Sequence, residues 1–480
     1  MDWKEKAISV LKNSLAPVPT ELNELDWKSG LSPKTDRLAQ HISAFANLKG
    51  GGTFVFGVNN DGSCFSISQS DAEEIVKKLG NIAKNNLAYS IKIEHDILEY
   101  KGYSLLFVYI PEQSEKPVYL RSSDLFNSYC RSAGQTVKMS KEQVKALISI
   151  SKGITFEKLL AKENLKAEEV LNLLNYRKMY ELLDKNIPSA SDTVLNKLKE
   201  LDFCKYESGH WHITNLGAIL FANNIIDFDG LQGKAVIVRK YIGTNNREME
   251  FEQIAKFGYA VGFEGLVDFI MLHTKSGEKR DIKREDKQIY PKVAIREFVA
   301  NAFIHQDFAI TGMPTTIEIF SNRLVITNPG APLNDINRLI DLPPHSRNEI
   351  LANTMLLLRF CERRGSGIDY AIEAIEKQGL PAVKFTRSEQ HTRIFLFPPK
   401  RLSEMTKDEK VLACYQHACL MYEDNNAINN QSVRERFGIE RRNAAIATRI
   451  ISETVNAGLI KNSNPENESK KYVTYIPYYG

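Results

Sequence analysis

Glu297, Asn301 and His305 recur at every fourth position of the apolar stretch EFVANAFIHQDF, residues 297–308. Positions four apart share one face of an α-helix, so the spacing predicts a helix with a polar stripe, packed inward through Phe298, Val299, Ala302 and Phe303. That stripe has to meet either a polar cavity or a loop that satisfies it. A carboxylate and an amide at this spacing can position a water and a Mg²⁺ beside a triphosphate. Equally, Asn301 and His305 can cap the helix end and hydrogen-bond a neighbouring loop.

Two glycine segments follow. ITNPGAPL (326–333) is a Pro-Gly loop directly after a strand, and ERRGSGIDYAIEAI (362–375) is a glycine loop that opens a helix. Backbone N–H groups at such a loop, with the positive end of the helix dipole, suit a chain of phosphates. The order of the three motifs points to the wall of a nucleotide pocket.

The rest of the 480 residues exceeds one hydrophobic core, so two to four domains are expected. The chain is 43% hydrophobic and 25% charged, which is ordinary for soluble globular protein. It has no apolar run of bilayer length, and MDWKEKAISVLKNSL reads as a short amphipathic helix without a signal-peptide core. A cytoplasmic location is the expectation. The six cysteines are scattered, with no CxxC pair, which fits reduced thiols. A net charge of +4 does not by itself argue for nucleic acid.

The pattern predicts a multidomain α/β (α+β) chain. In residues 1–150, GGTFVFGV and YSLLFVYIP read as buried strands, TDRLAQHISAFANLKG and SDAEEIVKKLGNIAKNN as amphipathic helices. Residues 151–218 read as a small, mostly helical, winged-helix-like connector ending in helix, hairpin and helix. Residues 219–400 return to mixed α/β, with the strand GKAVIVRKYIG, a hairpin turning at Asn322 and the closing strand HTRIFLFPP. Pro398, Pro399 and KRLSEMTKDE read as a linker to a fourth unit, 401–480.

Near the N-terminus, ELNELDWKSG gathers Glu21, Glu24, Asp26 and Lys28, and KGGG joins helix to strand ahead of the turn NNDG. Clustered carboxylates can hold a divalent metal for phosphodiester cleavage, with a lysine neutralising phosphate. They can also form a solvated acidic strand edge. The acidic box, HISAFANLKGGGTFVFGVNNDG and YCRSAGQT (129–136) together resemble the Schlafen-type AlbA-like domain over roughly residues 19–145. The resemblance implies nucleic-acid binding and, in the nucleases of that family, a three-carboxylate site that cuts RNA. Its first two acids fall on Glu21 and Asp26 as metal ligands. The third falls on Asn60, with Asp61 next door, and Lys28 and Arg131 become candidate phosphate contacts.

REFVANAFIHQDF, ITNPGAPL and HSRNEILANTMLLLRFCERRGSGIDYAIEAIEKQGLP resemble the ATP-binding fold of the GHKL group, in its RecG-C-terminal-like branch, over roughly residues 220–398. The resemblance implies ATP and Mg²⁺ as cofactors, Glu297 as the base that activates water, and Asn301 as the Mg²⁺ ligand. It places Asn328 and Gly330 by the adenine, Gly365, Ser366 and Gly367 by the phosphates, and His305 on the same wall. Where the group uses aspartate to read adenine, this chain has Asn328. Arg347 and Asn348 are further contacts to a nucleotide or partner.

At the C-terminus three helical segments and the strand YVTYIPYYG resemble the winged helix of bacterial regulators. Its third helix would present Arg441, Arg442 and Arg449 to DNA, with Lys470 and Lys471 at the wing. From Leu402 to Gly480 there are ten Lys and Arg against ten Asp and Glu, so a protein–protein role stands beside the DNA-binding one. The three modules together imply a nucleotide-binding, DNA-binding regulator, expected to dimerise. The alternatives are a Schlafen-like metal-dependent nuclease, acting on RNA or single strands in stress or phage defence, and a scaffold with protein partners alone.

Overall fold

The computed structural model describes residues 3–15, 19, 22–132, 134–141, 143–144, 147–148, 155–280, 283–343, 345–361, 367–388, 390–464 and 473–480, with the side chains of 276–280 and 283–287 left out. It divides into two compact units, Met1–Thr155 and Phe156–Gly480.

In the first unit α1 (Trp3–Leu15), β1 (Leu25–Lys28), α2 (Thr35–Asn47), β2 (Gly52–Phe56), α3 (Gln69–Asn85), β3 (Glu94–Tyr100) and β4 (Tyr103–Ile110) follow in order. The sheet runs β1-β2-β4-β3, with β1 parallel to β2 and the other pairs antiparallel. Side chains alternate across a strand, which explains why β2 is buried throughout. Phe54 and Phe56 join Leu106, Val108 and the α2 residues Leu38, Ile42 and Phe45 in one core. Val55 joins Leu105, Phe107 and the α1 residues Ala7 and Leu11 in another. The KGGG turn brings α2 back to β2: Gly51 has φ 70°, and a Cβ there would stand 2.3 Å from the Ile110 carbonyl oxygen. A hairpin of β5 (Tyr129–Ser132) and β6 (Gln135–Lys138) packs beside α2.

The second unit begins with β7 (Leu160–Leu165), α4 (Ala167–Leu173), α5 (Tyr176–Leu182), α6 (Ser191–Glu200), the hairpin β8 (Cys204–Glu207) and β9 (His210–Thr214), and α7 (Asn215–Phe221). The helix, hairpin and helix expected from the sequence are present, with β7 added to give a sheet ordered β7-β9-β8. Next come β10 (Val236–Tyr241), β11 (Met249–Ala255), α8 (Tyr259–His273), β12 (Lys275–Arg280), β13 (Lys283–Gln288) and α9 (Lys292–His305). They are followed by β14 (Thr316–Phe320), β15 (Arg323–Pro329), α10 (Glu349–Leu357), α11 (Gly367–Lys377), β16 (Lys384–Arg387) and β17 (His391–Leu396). The six-stranded sheet is ordered β11-β10-β14-β15-β17-β16, and only β10 and β14 pair in parallel.

Last come α12 (Lys407–Glu423), α13 (Asn430–Phe437), α14 (Ala444–Asn456) and the pair β18 (Ile460–Asn462) and β19 (Tyr475–Pro477). Part of the segment read as a linker is the start of α12. Thr406 and Glu409 cap it reciprocally, Thr406 Oγ1 accepting from the Glu409 N–H at 3.2 Å and Glu409 accepting from the Thr406 N–H at 2.9 Å. The three regions expected as separate modules share one core in this unit, in which Phe203, Phe298, Ile326, Cys414 and Ile450 belong to a single buried cluster. Among the described residues no helix is long and apolar enough to cross a membrane, and all six cysteines are free.

Candidate functional site

A cavity of about 500 Å³ opens in the second unit between α9, the ends of β15 and β17, the loop after β15, and helices α10 and α11. The polar stripe of α9 forms one wall: Glu297, Asn301 and His305 all line it, together with Asn328 from β15, Gly367 from α11 and Thr392 from β17. Phe298, Ile304, Leu339, Leu342, Phe385 and Ile394 supply apolar surface. An apolar body with a few convergent polar groups is the usual form of a small-molecule site.

The stripe is ordered by contacts within the helix. Asn301 Nδ2 donates to Glu297 Oε1 at 2.8 Å and to the Glu297 carbonyl at 3.0 Å. Its hydrogens are thus committed to Glu297, and its amide oxygen is the group suited to a cation. Gly367, the first residue of α11, meets the same carboxylate; a Cβ there would lie 2.0 Å from Glu297 Oε1. An added methyl would have to displace that carboxylate. His305 is uncharged at neutral pH: burial first, then the charges of Arg347 and His345, push it down to about 4. It can hydrogen-bond a ligand but cannot offset phosphate charge.

Asn328 is buried and donates Nδ2 to the Pro329 carbonyl at 3.3 Å, which leaves its oxygen to accept from an amine. Gly330, expected at the adenine, does not line the cavity. It closes the strand end instead: its N–H donates to the Gln390 carbonyl at 2.7 Å, and its own carbonyl accepts from Thr392 Oγ1 at 2.8 Å. Gly365 and Ser366 lie outside the described residues.

Arg347 and Asn348, read as contacts to a nucleotide or partner, are committed to the protein. Asn348 Nδ2 donates to the carbonyls of Ile304 and Gln306 at 2.8 Å each. Arg347 donates to the carbonyls of Ala331 at 2.6 Å and His305 at 3.4 Å. A helix end leaves its last carbonyls without intrahelical partners, and these two side chains satisfy those of α9.

The acidic box of the first unit takes a different form. Asp26 is fully buried beneath a polar cleft of about 580 Å³ lined by Lys28, Arg37, Gln40, Asn60, Gln135 and others. Its Oδ1 accepts from Lys28 Nζ at 2.8 Å, and its Oδ2 lies 2.6 Å from His41 Nδ1 and 3.4 Å from an Arg131 guanidinium nitrogen. Burial alone would raise its pKa, but the His41 hydrogen bond and the Lys28 charge prevail and hold it well below the usual carboxylate range. With both oxygens engaged by three bases, Asp26 does not fit the metal-ligand role.

Arg131, expected at a phosphate, turns inward. It also donates to Thr136 Oγ1 at 3.0 Å and to the carbonyls of Leu22 and Leu25 at 3.3 Å each, and it packs on Phe45. Asp61 is exposed in a turn, where the side-chain and backbone hydrogen bonds of Ser63 (2.6 and 2.9 Å) hold its carboxyl below its ordinary value. It does not reach the cleft, whereas Asn60 does. Glu21 lies outside the described residues. Arg37 and Gln135 were not singled out from the sequence, although Arg37 in the first turn of α2 could have been. Among the described residues no group of three His, Cys, Asp or Glu can hold a metal ion.

In the C-terminal part Arg441, Arg442 and Arg449 are exposed. Of the three expected on the third helix only Arg449 lies on α14, while Arg441 and Arg442 lie in the turn before it, where Arg442 pairs with Glu440. The exposed positions of α14 continue through Ala445, Thr448 and Ser452, with Glu453 half-buried beside them. Lys470 and Lys471 lie outside the described residues.

Comparison with known proteins agrees with two of these regions. Residues 21–140 match the family "Schlafen, AlbA_2". Residues 312–396 match the family "Putative ATP-dependent DNA helicase recG C-terminal"; that match begins after α9 and is shorter than the stretch expected from the motifs. Among solved structures, the DIP2311 protein from Corynebacterium diphtheriae is 13% identical, over 99% of this chain and 97% of that one, at a TM-score of 0.40. The N-terminal domain of a RecG-related protein from Nitrosomonas europaea is 22% identical, over 28% of this chain and 92% of that one, at a TM-score of 0.21. No curated protein matches the chain.

Proposed function

We propose that this chain, which carries a Schlafen AlbA_2 region and a RecG-C-terminal ATPase-like region, is a nucleic-acid-binding regulator whose state is set by an adenine nucleotide. The observation that carries this reading is the cavity in which Glu297, Asn301, His305, Asn328 and Gly367 converge. Asn328 accepts from the exocyclic amine of the base, and the apolar surface holds the rings. The phosphates lie toward the glycine start of α11, where backbone N–H groups and the helix dipole favour anions. Glu297, fixed by Asn301, orients a water and accepts its proton. The amide oxygen of Asn301 would hold a Mg²⁺ bound with the phosphates, and that ion would offset part of their charge.

Two surfaces offer contacts to nucleic acid: the cleft of the first unit, through Lys28 and Arg37, and α14 with the turn before it, through Arg449, Arg441 and Arg442. Transcriptional control is the regulatory role we assign to them, with duplex DNA as the partner of α14. The first unit binds without cutting, because Asp26 is spent on its three bases.

A thermal-shift titration with Mg·ATP tests the central point. Wild type should melt at a higher temperature as ATP is added, and Asn301→Ala should not respond; equal responses would remove the cavity from the proposal. Incubation of tRNA with the protein and Mg²⁺ or Mn²⁺ tests the other. Intact RNA is expected, and cleavage that disappears in Asp26→Ala would restore the nuclease reading.

A further inference from the structure

The walls of the cavity are held from outside by the C-terminal helices, at two separate places. The first is the loop after β15, whose Leu339 and Leu342 face the cavity. On its outer side, Tyr415 Oη of α12 donates to the Asn337 carbonyl at 2.6 Å, and the Arg338 guanidinium sits 4.6 Å from the centre of the Tyr479 ring. The second is α11, whose Gly367 and Ile368 face the cavity. Near its other end Glu376 is gripped by α12 and α13. Its Oε1 lies 2.7 Å from His417 Nδ1, and its Oε2 lies 3.1 Å from Arg436 Nε.

The chain that leaves α11 is held as well. Arg436 donates to the Leu380 carbonyl at 2.8 Å, and Gln416 Nε2 to the Val383 carbonyl at 2.7 Å. His417, Arg436 and Gln416 are largely buried at these contacts, so they are not surface ion pairs of negligible strength. Asp369 in the first turn of α11 adds an electrostatic link. Its carboxyl is pushed up to about 7 by burial, then by Glu423 at the end of α12, by Asp341 and by Glu297 in the cavity.

Buried contacts of this kind have a small number of arrangements and do not deform continuously. A ligand that moves α11 or the loop after β15 therefore changes what α12 and α13 can hold. We infer that Tyr415 and the Glu376–His417–Arg436 cluster are positioning residues that make the C-terminal helices a sensor of cavity occupancy, so that ligand binding in the cavity and duplex binding on α14 influence each other. This rests on the nucleotide reading above. Linkage makes the influence reciprocal: whatever factor the nucleotide applies to the duplex, the duplex applies to the nucleotide.

Hydrogen–deuterium exchange on the full chain, with and without Mg·ATP, separates this inference from the reading beneath it. In wild type, exchange should slow in residues 292–305, which line the cavity, and should also change in residues 407–437, which do not. The double variant Glu376→Gln, Tyr415→Phe should keep the first response and lose the second. Its melting temperature without ligand serves as the check that it folds. Duplex affinity should shift roughly fivefold or more with Mg·ATP in wild type and stay fixed in the variant. Protection confined to 292–305 in wild type, or transmission that survives in the variant, overturns the inference and leaves nucleotide binding intact. No protection in 292–305 overturns both.

Discussion

Asp26 in the first unit and Glu297 in the second are both buried carboxylates at the edge of a polar recess. Asp26 is met by Lys28, His41 and Arg131. Glu297 is met by the amide of Asn301 and by the glycine that starts α11. An acid surrounded by cations is a structural counter-ion, because its charge is already answered. An acid held by an amide on the wall of a cavity with an apolar body is placed where a ligand can reach it. The residue types that a motif counts are the same; the neighbours from distant parts of the chain decide the role.

The sharpest way to break this contrast is to remove Asp26. Asp26→Ala removes the buried carboxylate that Lys28, His41 and Arg131 meet, and breaking a buried pair from one side costs about 3–5 kcal/mol. Urea unfolding of the first unit should report a loss of that order. If Asp26 instead awaited a metal, its removal from metal-free protein would leave stability unchanged or improved.

Acid should separate the units next. Asp26 has its carboxyl depressed, so its contribution is present above the ordinary carboxylate range and is lost as pH falls below roughly 4. His305 is depressed from 6.5 to about 4. Its unfolded form takes up a proton first, so the His305 contribution weakens the second unit as pH falls from about 6.5 toward 4, while Asp369, pushed up to about 7, acts in the opposite sense over the same range. Tryptophan fluorescence can follow each unit, since Trp3 and Trp27 lie in the first and Trp211 in the second. His305→Gln removes one of the two opposing contributions, so it should gain stability relative to wild type as pH falls from about 6.5 toward 4. A difference between the two that does not change with pH would contradict the burial assigned to His305.

Gly367→Ala should act on binding more than on folding. The added methyl displaces the Glu297 carboxylate, and Mg·ATP affinity should fall about tenfold, equivalent to about 1.4 kcal/mol, while the melting temperature changes little. An unchanged affinity would mean that the carboxylate is not part of the binding surface. Smallest is the effect at α14. Arg449→Ala should weaken duplex binding evenly across sequences and reduce the salt dependence by about one phosphate contact. Salt titration of a fluorescent duplex measures it, and an unaltered slope would remove that residue from the interface.

Local patterns carried much of this molecule. The alternation in GTFVF gives a strand buried on both faces, and the four-residue interval from Glu297 to His305 gives a wall of the cavity. The hairpin of β12 and β13 was not legible, because KSGEKR and KREDKQ are charged runs without alternation. The inward turn of Arg131 was not legible either: its partner Asp26 is 105 positions away, and nothing in YCRSAGQT shows which way the guanidinium points. Nor could the sequence say that Asn348 serves the end of α9, since an amide before a helix reads equally as a cap or a ligand contact. The C-terminal helices looked detachable because of Pro398 and Pro399, yet Cys414 and Ile450 join the core of the sheet.

The grip of Asn348 on the Ile304 and Gln306 carbonyls has a kinetic consequence. With the last turn of α9 immobilised by contacts within the protein, an incoming molecule meets a recess already near its final shape. Association should then be governed by diffusion and desolvation, with little waiting for a rare open form. Differences among competing ligands would accordingly appear in how long each stays.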